Sequence, residues 1–82
     1  MDVARALSVM AEHLGVPVEL LEEQAEFRRD LGADSLDMVE LVMALENSLS
    51  VVISEDDADR CRTVGDAIAL LQQCGRERAE PA

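Results

Sequence analysis

LGADSLDMVELVMAL, residues 31–45, places a serine at the start of a segment with helical periodicity. Asp34 and Ser35 are both good helix N-caps, because their side-chain oxygens accept hydrogen bonds from the first backbone N–H groups. The apolar residues that follow recur at spacings of three and four, which predicts a helix over about residues 35–49. The rest of the chain has to be arranged around this helix.

The predicted helix is apolar on two nearly opposite sides when its residues are placed about 100° apart. One face consists of Met38, Leu41, Val42, Leu45 and Leu49. The other consists of Leu36, Val39 and Met43, with the acids Glu40 and Glu46 beside it and Asp34 and Asp37 at the helix start. Such a helix either lies at the centre of a bundle or exposes its second face as a docking surface. The acids favour docking to a basic partner, since a buried carboxylate would need a partner of its own.

A first helix is predicted over about residues 2–14. Its inward face consists of Val3, Leu7, Met10 and Leu14. Gly15 ends this helix, and Pro17 prevents its immediate continuation. Residues 16–34 are predicted to form a long loop with one or two short turns. The apolar residues expected to pin this loop are Leu20, Phe27 and Leu31.

Two more helices are predicted, a short one over about residues 55–60 and a longer one over about 64–73. Each begins at a pair of residues with capping-box spacing, namely Ser54 with Asp57 and Thr63 with Asp66. The inward face of the last helix consists of Val64, Ala67, Ile68 and Leu71, and Gly75 is expected to stop it. The only β-branched run, SVVIS at 50–54, is too short and isolated to make a sheet.

These elements predict an all-α fold, a small four-helix bundle with three main helices, a short third helix and a long first loop. The domain is expected to span residues 1–75, followed by a disordered tail at 76–82. A length of 82 residues allows one modest core. Since Phe27 is the only aromatic residue, that core must be aliphatic and adaptable.

The formal net charge is −11, with 18 acidic residues against 7 arginines and no lysine. This charge argues against nucleic acid and anionic membrane as partners and favours basic proteins. With no visible signal peptide or transmembrane run, we expect a cytoplasmic chain with reduced thiols. Cys61 is expected to be a small core residue, and Cys74 a helix-end residue open to a stray intermolecular disulfide. Neither has a metal-ligand spacing partner, so no metal site is expected.

Ser35 itself has three interpretations from its surroundings. It is an N-cap, a nucleophile, or an attachment point. A nucleophile would need a base, but the only histidine, His13, lies at the far end of another predicted helix, and no G-x-S-x-G elbow is present. A phosphate on the hydroxyl would lie at a helix N-terminus, where the dipole favours an anion, although Asp34 and Asp37 would be beside it.

Residues 31–46, LGADSLDMVELVMALE, closely resemble the signature around the modified serine of bacterial type II acyl carrier proteins. LGV at 14–16, FRRDLGADSLD at 27–37 and ISEDDADRCRTVGDAI at 53–68 resemble other segments of the same family, so the resemblance covers nearly the whole chain. It implies that Ser35 carries 4′-phosphopantetheine in a phosphodiester, added from coenzyme A by a phosphopantetheinyl transferase. The arm would hold acyl chains as thioesters, and the protein would be a monomeric carrier rather than an enzyme.

The resemblance also implies roles for two sets of residues. The positions that match the family's partner-recognition surface are Asp34, Leu36, Asp37, Val39, Glu40, Met43 and Glu46. The positions that would line the core or an acyl cavity are Met38, Leu41, Leu45, Ile53, Cys61 and Ile68. The partners implied are the transferase and acyl-transfer and chain-elongation enzymes with basic patches.

Several residues depart from the family's pattern. Asn47 and Ser48 stand where acids are usual, and Val51 and Val52 replace polar or acidic residues. Met38 takes the place of a smaller polar residue and would narrow the cavity. Fatty-acid synthesis is therefore the first expectation, and a specialised carrier of a polyketide or other secondary pathway is the alternative. A helical interaction module without modification, in which Ser35 is only a cap, is a third.

Overall fold

The structure, a computed structural model, describes residues 2–79, and side chains through residue 74. Within that range it contains α1 (Val3–Leu14), α2 (Ser35–Leu49), α3 (Glu55–Arg60) and α4 (Val64–Ala79), with a 3₁₀ turn at Val18–Leu20. The predicted all-α fold, with its short third helix and long first loop, is confirmed. Among the described residues, the only β-type pairing is a single bridge between Glu26 and Thr63.

Helix α1 begins where the Asp2 side chain accepts a hydrogen bond from the backbone N–H of Arg5, at 3.1 Å. It ends at Gly15, whose φ of 68° lies in the left-handed region that glycine adopts without strain. Its buried residues are Ala6 and Met10, whereas Leu7 and Leu14 are only half-buried. The inward face is therefore rotated from the one predicted. Among the described elements, α2 is the main contact of α1.

Backbone hydrogen bonds tie the long first loop to the connection between α3 and α4. The N–H of Phe27 donates to the carbonyl of Arg62 at 3.0 Å, and the N–H of Val64 donates to the carbonyl of Ala25 at 2.9 Å. A third bond, 2.9 Å long, joins the N–H of Gly65 to the carbonyl of Glu23. We call these three bonds the backbone clamp. They hold the segment before α2 in place although it contains little regular structure.

Apolar anchors complete the placement of this loop. Phe27 and Leu31 are buried as predicted. Leu20, the third expected anchor, is 53% exposed, and its neighbour Leu21 is buried instead. The 3₁₀ turn at Val18–Leu20 explains the error, because it displaces the inward direction by one residue.

Helix α4 runs through Gly75 to Ala79, so the expected stop at Gly75 is wrong. A glycine inside a helix costs only about 1 kcal/mol relative to alanine, and the following arginines, glutamate and alanine are good helix formers. The tail predicted from residue 76 thus begins inside α4, and residues 80–82 lie outside the described residues. No helix within residues 2–79 has both the length and the apolar character needed to cross a membrane.

The longer α4 changes the environment of Cys74. This residue lies within the helix rather than at its end, and it is buried. Its sulfur approaches the carbonyl oxygen of Val52 at 3.6 Å. The predicted position at a helix end is therefore wrong, and burial makes an intermolecular disulfide through this thiol less favourable than the sequence indicated.

Candidate functional site

Ser35 is the first residue of α2, but it does not cap the helix. Asp34 is the N-cap, and its Oδ1 accepts a hydrogen bond from the N–H of Asp37 at 2.8 Å. In return, Oδ2 of Asp37 accepts from the N–H of Asp34 at 3.1 Å. This reciprocal capping box satisfies the helix start without the serine. The interpretation of Ser35 as an N-cap is wrong, and its exposed hydroxyl is available for another role.

The hydroxyls at the starts of α3 and α4 accept capping hydrogen bonds, unlike that of Ser35. Ser54 caps α3 by accepting a hydrogen bond from the N–H of Asp57 at 3.1 Å. Thr63 accepts from the N–H of Asp66, also at 3.1 Å, at the start of α4. Both capping pairs were predicted from their spacing and are confirmed. Among these three hydroxyls, only that of Ser35 has no capping role.

The partner of Ser35 is Arg28. The Nη2 atom of Arg28 donates a hydrogen bond to Oγ of Ser35 at 3.2 Å. Among the side chains that the structure describes, residues 2–74, no ion pair engages Arg28, whereas Arg29 and Arg62 both pair with Glu26 at 3.8 and 3.7 Å. The acids beside the serine are evident from the sequence, whereas this cation was not predicted. The signal was the Arg-Arg pair in the loop that returns to the start of α2.

Nothing near Ser35 can activate it as a nucleophile. In the described part of the chain, the hydrogen bond of its side chain is with the permanently cationic Arg28, and none joins it to His13 or to a carboxylate. A triad needs a base in hydrogen-bond reach of the hydroxyl. The geometry around Ser35 therefore does not support the nucleophile interpretation.

The second apolar face of α2 is exposed. Leu36, Val39 and Met43 are 65%, 56% and 57% exposed, and we call these three residues the exposed strip. On the other side of α2, Leu41 and Leu45 are buried. The alternative in which α2 lies at the centre of the bundle is wrong, because only one of its two apolar faces is covered.

The acids around the exposed strip differ in how they are held. Asp34 and Glu40 are exposed, while Asp37 and Glu46 are half-buried. Glu46 has a structural contact that the sequence did not reveal, because its Oε2 accepts a hydrogen bond from the N–H of Ile53 at 2.9 Å. This bond supports the turn after α2, where Ser50 has a φ of 55°. Glu40 is the acid whose position is least determined by the fold.

A surface groove of about 860 Å³ lies between the first loop, α2 and α3, and Ser35 is part of its lining. Its basic residues are Arg28, Arg29 and Arg62. Its apolar and acidic residues include Val39, Met43, Glu46, Glu55 and Asp59. The groove thus joins the serine, part of the exposed strip and three of the chain's arginines in one concave surface.

An apolar cavity of about 20 Å³ adjoins the groove. The residues that line both are Phe27, Met38, Val42, Ile53, Ala58 and Cys61. Five of the residues expected to line an acyl cavity do line this space, namely Met38, Leu41, Leu45, Ile53 and Cys61, while Ile68 does not. Its volume is close to the room that one water molecule needs. In this conformation the core is closed, and a guest chain could enter only by displacing side chains.

Cys61 lies where the groove meets the cavity. Burial, followed by the carboxylates of Asp66 and Asp57, raises the pKa of its thiol from 9.0 to about 11. Its Sγ donates a hydrogen bond to the carbonyl of Asp57 at 3.4 Å. The thiol is therefore protonated at neutral pH and a poor nucleophile. In the described part of the chain, no group of three or more His, Cys, Asp or Glu residues is arranged to hold a metal ion.

Comparisons with known proteins agree with this arrangement. The sequence model of a family described as "Phosphopantetheine attachment site" matches residues 4–71. Over 73 residues, the chain is 49% identical to the acyl carrier protein of Sinorhizobium fredii (strain NBRC 101917 / NGR234). That match covers 88% of this chain and 94% of the relative.

Proposed function

The chain belongs to the acyl carrier proteins, a family with a phosphopantetheine attachment site, and we propose that Ser35 carries the covalent 4′-phosphopantetheine arm. The observation that carries the proposal is the capping box of Asp34 and Asp37, which leaves the exposed Ser35 hydroxyl without a structural task. A serine at such a position is accessible to a modifying enzyme, and its alteration does not disturb the helix start.

The residues around Ser35 fit a phosphodiester. Arg28 supplies a cation within hydrogen-bond distance of Oγ. The carboxylates of Asp34 and Asp37 each accept a backbone N–H, and the charge of Arg28 would offset theirs at the phosphate. The groove beside the serine offers a concave surface for a long, flexible arm. When bound, the arm supplies a terminal thiol on which acyl groups are held as thioesters.

Loading the arm requires a second protein. Oγ of Ser35 forms a bond to the phosphorus nearer the pantetheine of coenzyme A, and the bond between that phosphorus and the oxygen that bridges the two phosphates breaks. Adenosine 3′,5′-bisphosphate leaves, and the hydroxyl proton passes to a base. Since the described residues place no base at Ser35, we assign that base to a phosphopantetheinyl transferase. The chain itself acts as a carrier, and catalysis belongs to its partners.

The exposed strip is the proposed docking surface for these partners. Its side chains offer apolar contact next to Ser35, at the end of α2 where the arm is attached. A net charge of −11 and the exposed Asp34 and Glu40 would orient a basic partner and raise its association rate. One surface can thus serve the transferase and the acyl-transfer and chain-elongation enzymes in turn.

The cavity and the adjoining groove are the proposed shelter for an acyl chain. The cavity is lined by aliphatic side chains, Phe27 and Cys61, and Met38 lies between it and the groove. Methionine is unbranched and adapts readily to new packing. A chain on the arm would displace Met38 and enlarge the space that is now about 20 Å³.

We propose that the chain serves fatty-acid synthesis in the cytoplasm. A specialised pathway is the second candidate, and two exposed residues favour it. Val52, which replaces a polar or acidic residue of the family's pattern, is 73% exposed. Asn47 is exposed as well. Enzymes that rely on acids at these positions would find an apolar and a neutral side chain instead.

The test is the intact mass of the purified chain before and after incubation with coenzyme A and a broad-specificity phosphopantetheinyl transferase. We expect a gain of one arm in the wild type and in Ser54→Ala, and no gain in Ser35→Ala. Circular dichroism confirms that both variants are folded. A gain in Ser35→Ala would move the attachment to another residue, and no gain in any protein, with no arm already present, would refute the carrier assignment.

A further inference from the structure

We infer that Arg28 binds the phosphate through which the arm is attached, and so directs the arm from Ser35 into the groove. The inference rests on the proposed attachment at Ser35. It begins from the hydrogen bond of 3.2 Å between Nη2 of Arg28 and Oγ of Ser35. In the modified protein, Oγ becomes the ester oxygen, and the non-bridging phosphate oxygens lie on the phosphorus bonded to it. The guanidinium is therefore already beside the place of the new charge.

The charge of Arg28 is available for this role. Arg29 and Arg62 share Glu26 in their ion pairs, whereas Arg28 has no ion pair among the described side chains, residues 2–74. The chain has 18 acidic residues, yet the guanidinium of Arg28 is bonded to the hydroxyl of Ser35. A phosphodiester keeps one negative charge at neutral pH, so it would give Arg28 an anionic partner.

The helix N-terminus offers the phosphate fewer N–H groups than usual, because that of Asp37, in the first turn, is already bonded to Asp34. Both acids of the capping box also bring negative charge close to the phosphate, which opposes the helix dipole. A side-chain cation would balance this charge. Arginine suits it better than lysine would, because its planar fork can donate to two phosphate oxygens at once.

The position of Arg28 also determines the direction in which the arm leaves Ser35. Arg28 and Ser35 both line the groove. A phosphate held between them would direct the arm toward Met38 and Cys61, which are shared by the groove and the cavity. Without this contact, the arm would leave the exposed end of α2 toward solvent. Arg28 is thus a positioning residue for the arm.

The experiment uses the modified wild-type protein and the modified variants Arg28→Gln, Arg28→Lys and Arg29→Gln. Arg29→Gln removes the same charge from the neighbouring residue, whose partner is Glu26. The first measurement is the ³¹P resonance of the arm. We expect it to shift in Arg28→Gln, to shift less in Arg28→Lys, and to stay near the wild-type position in Arg29→Gln. A second measurement needs no substitution, because the side-chain Nε–Hε resonance of Arg28 should move when the wild type is modified.

The outcomes separate this inference from the proposed function. Intact mass first shows whether each protein carries the arm on Ser35. If it does, and the ³¹P resonance is the same in the wild type and in Arg28→Gln, or shifts equally in Arg29→Gln, then Arg28 does not bind the phosphate. An unmoved Nε–Hε resonance in the modified wild type would likewise show that the guanidinium makes no contact with the phosphate. If no arm can be attached at Ser35, the proposed function fails, and this inference fails with it.

Discussion

Asp34 and Asp37 accept hydrogen bonds from each other's backbone N–H groups, so the start of α2 is closed without the serine between them. We predict that Asp34→Ala lowers the free energy of unfolding by about 0.5–2 kcal/mol, the usual cost of losing an N-cap. Urea unfolding followed by far-ultraviolet circular dichroism measures this change, since the chain has no tryptophan or tyrosine to report by fluorescence.

Ser35→Ala is the matched variant, because it changes the next residue and leaves the capping box intact. We predict a change in unfolding free energy within about 0.5 kcal/mol, as expected for an exposed position whose hydroxyl is bonded to a surface arginine and does not cap the helix. If Ser35→Ala were as costly as Asp34→Ala, the serine would have a capping role after all.

The start of α4 packs so closely against the first loop that position 65 requires a glycine. A Cβ atom at this position would lie 2.6 Å from Cγ of Glu23 and 2.9 Å from its carbonyl oxygen. We predict that Gly65→Ala destabilises the fold by about 1–3 kcal/mol, the range typical of overpacking. Thermal unfolding compares it with Ala69→Ser, an exposed change in the same helix. Equal melting temperatures for the two variants would contradict the contact.

The raised pKa of Cys61 predicts a specific dependence of stability on pH. Below pH 9 the thiol is protonated in both the folded and the unfolded chain, so it contributes nothing. Between pH 9 and about 11 the unfolded chain releases the proton while the folded chain retains it, so stability falls as the pH rises. Unfolding measured from pH 8 to 11 should show a steeper loss in the wild type than in Cys61→Ala. Parallel curves would show that burial does not perturb this thiol.

The exposed strip predicts a loss of partner binding without a loss of stability. We expect Met43→Ser to lower kcat/KM for loading by a phosphopantetheinyl transferase, while the melting temperature changes little. Leu20→Ala is the control, because Leu20 is similarly exposed but lies on the first loop outside the groove. If both variants reduced loading equally, general hydrophobicity rather than the strip would explain the effect.

Met38, which lines both the cavity and the groove, provides a test of whether an acyl chain enters there. Met38→Ala should destabilise the unloaded protein, because it removes packing from a half-buried position beside the cavity. A medium-length acyl chain on the arm should then restore more of the melting temperature in the variant than in the wild type, since the space is already open. Identical increments on acylation would show that the chain does not enter at Met38.

The helices could be predicted from the sequence because their signals are local. Spacing, N-capping pairs and Gly15 gave the bounds of α1, α2 and α3 to within a residue. The errors arose where a distant contact or a weak stop signal decided the structure. Leu21 replaced Leu20 as an anchor because a 3₁₀ turn changed the phase, and Gly75 was too weak a signal to end α4.

The candidate site was predictable to a similar degree. The exposed strip and the serine followed from periodicity and from the resemblance to a family. The hydrogen bond from Arg28 could not be derived, because it depends on how a mostly irregular loop returns to α2. The bond between Glu46 and the N–H of Ile53 was hidden for the same reason, since a turn brings together residues seven apart.

The backbone clamp has a consequence for mutational tolerance. Its three hydrogen bonds join main-chain atoms, so they do not depend on the identities of the side chains at Glu23, Ala25 and Arg62. Substitutions at these positions keep the three bonds, within the limits set by the Gly65 contact, by the ion pair of Arg62 with Glu26 and by proline, which would distort the backbone there. A library that varies the residues around the groove would therefore keep the entry to the site in place. The carrier could be adapted to new enzymes without redesigning its scaffold.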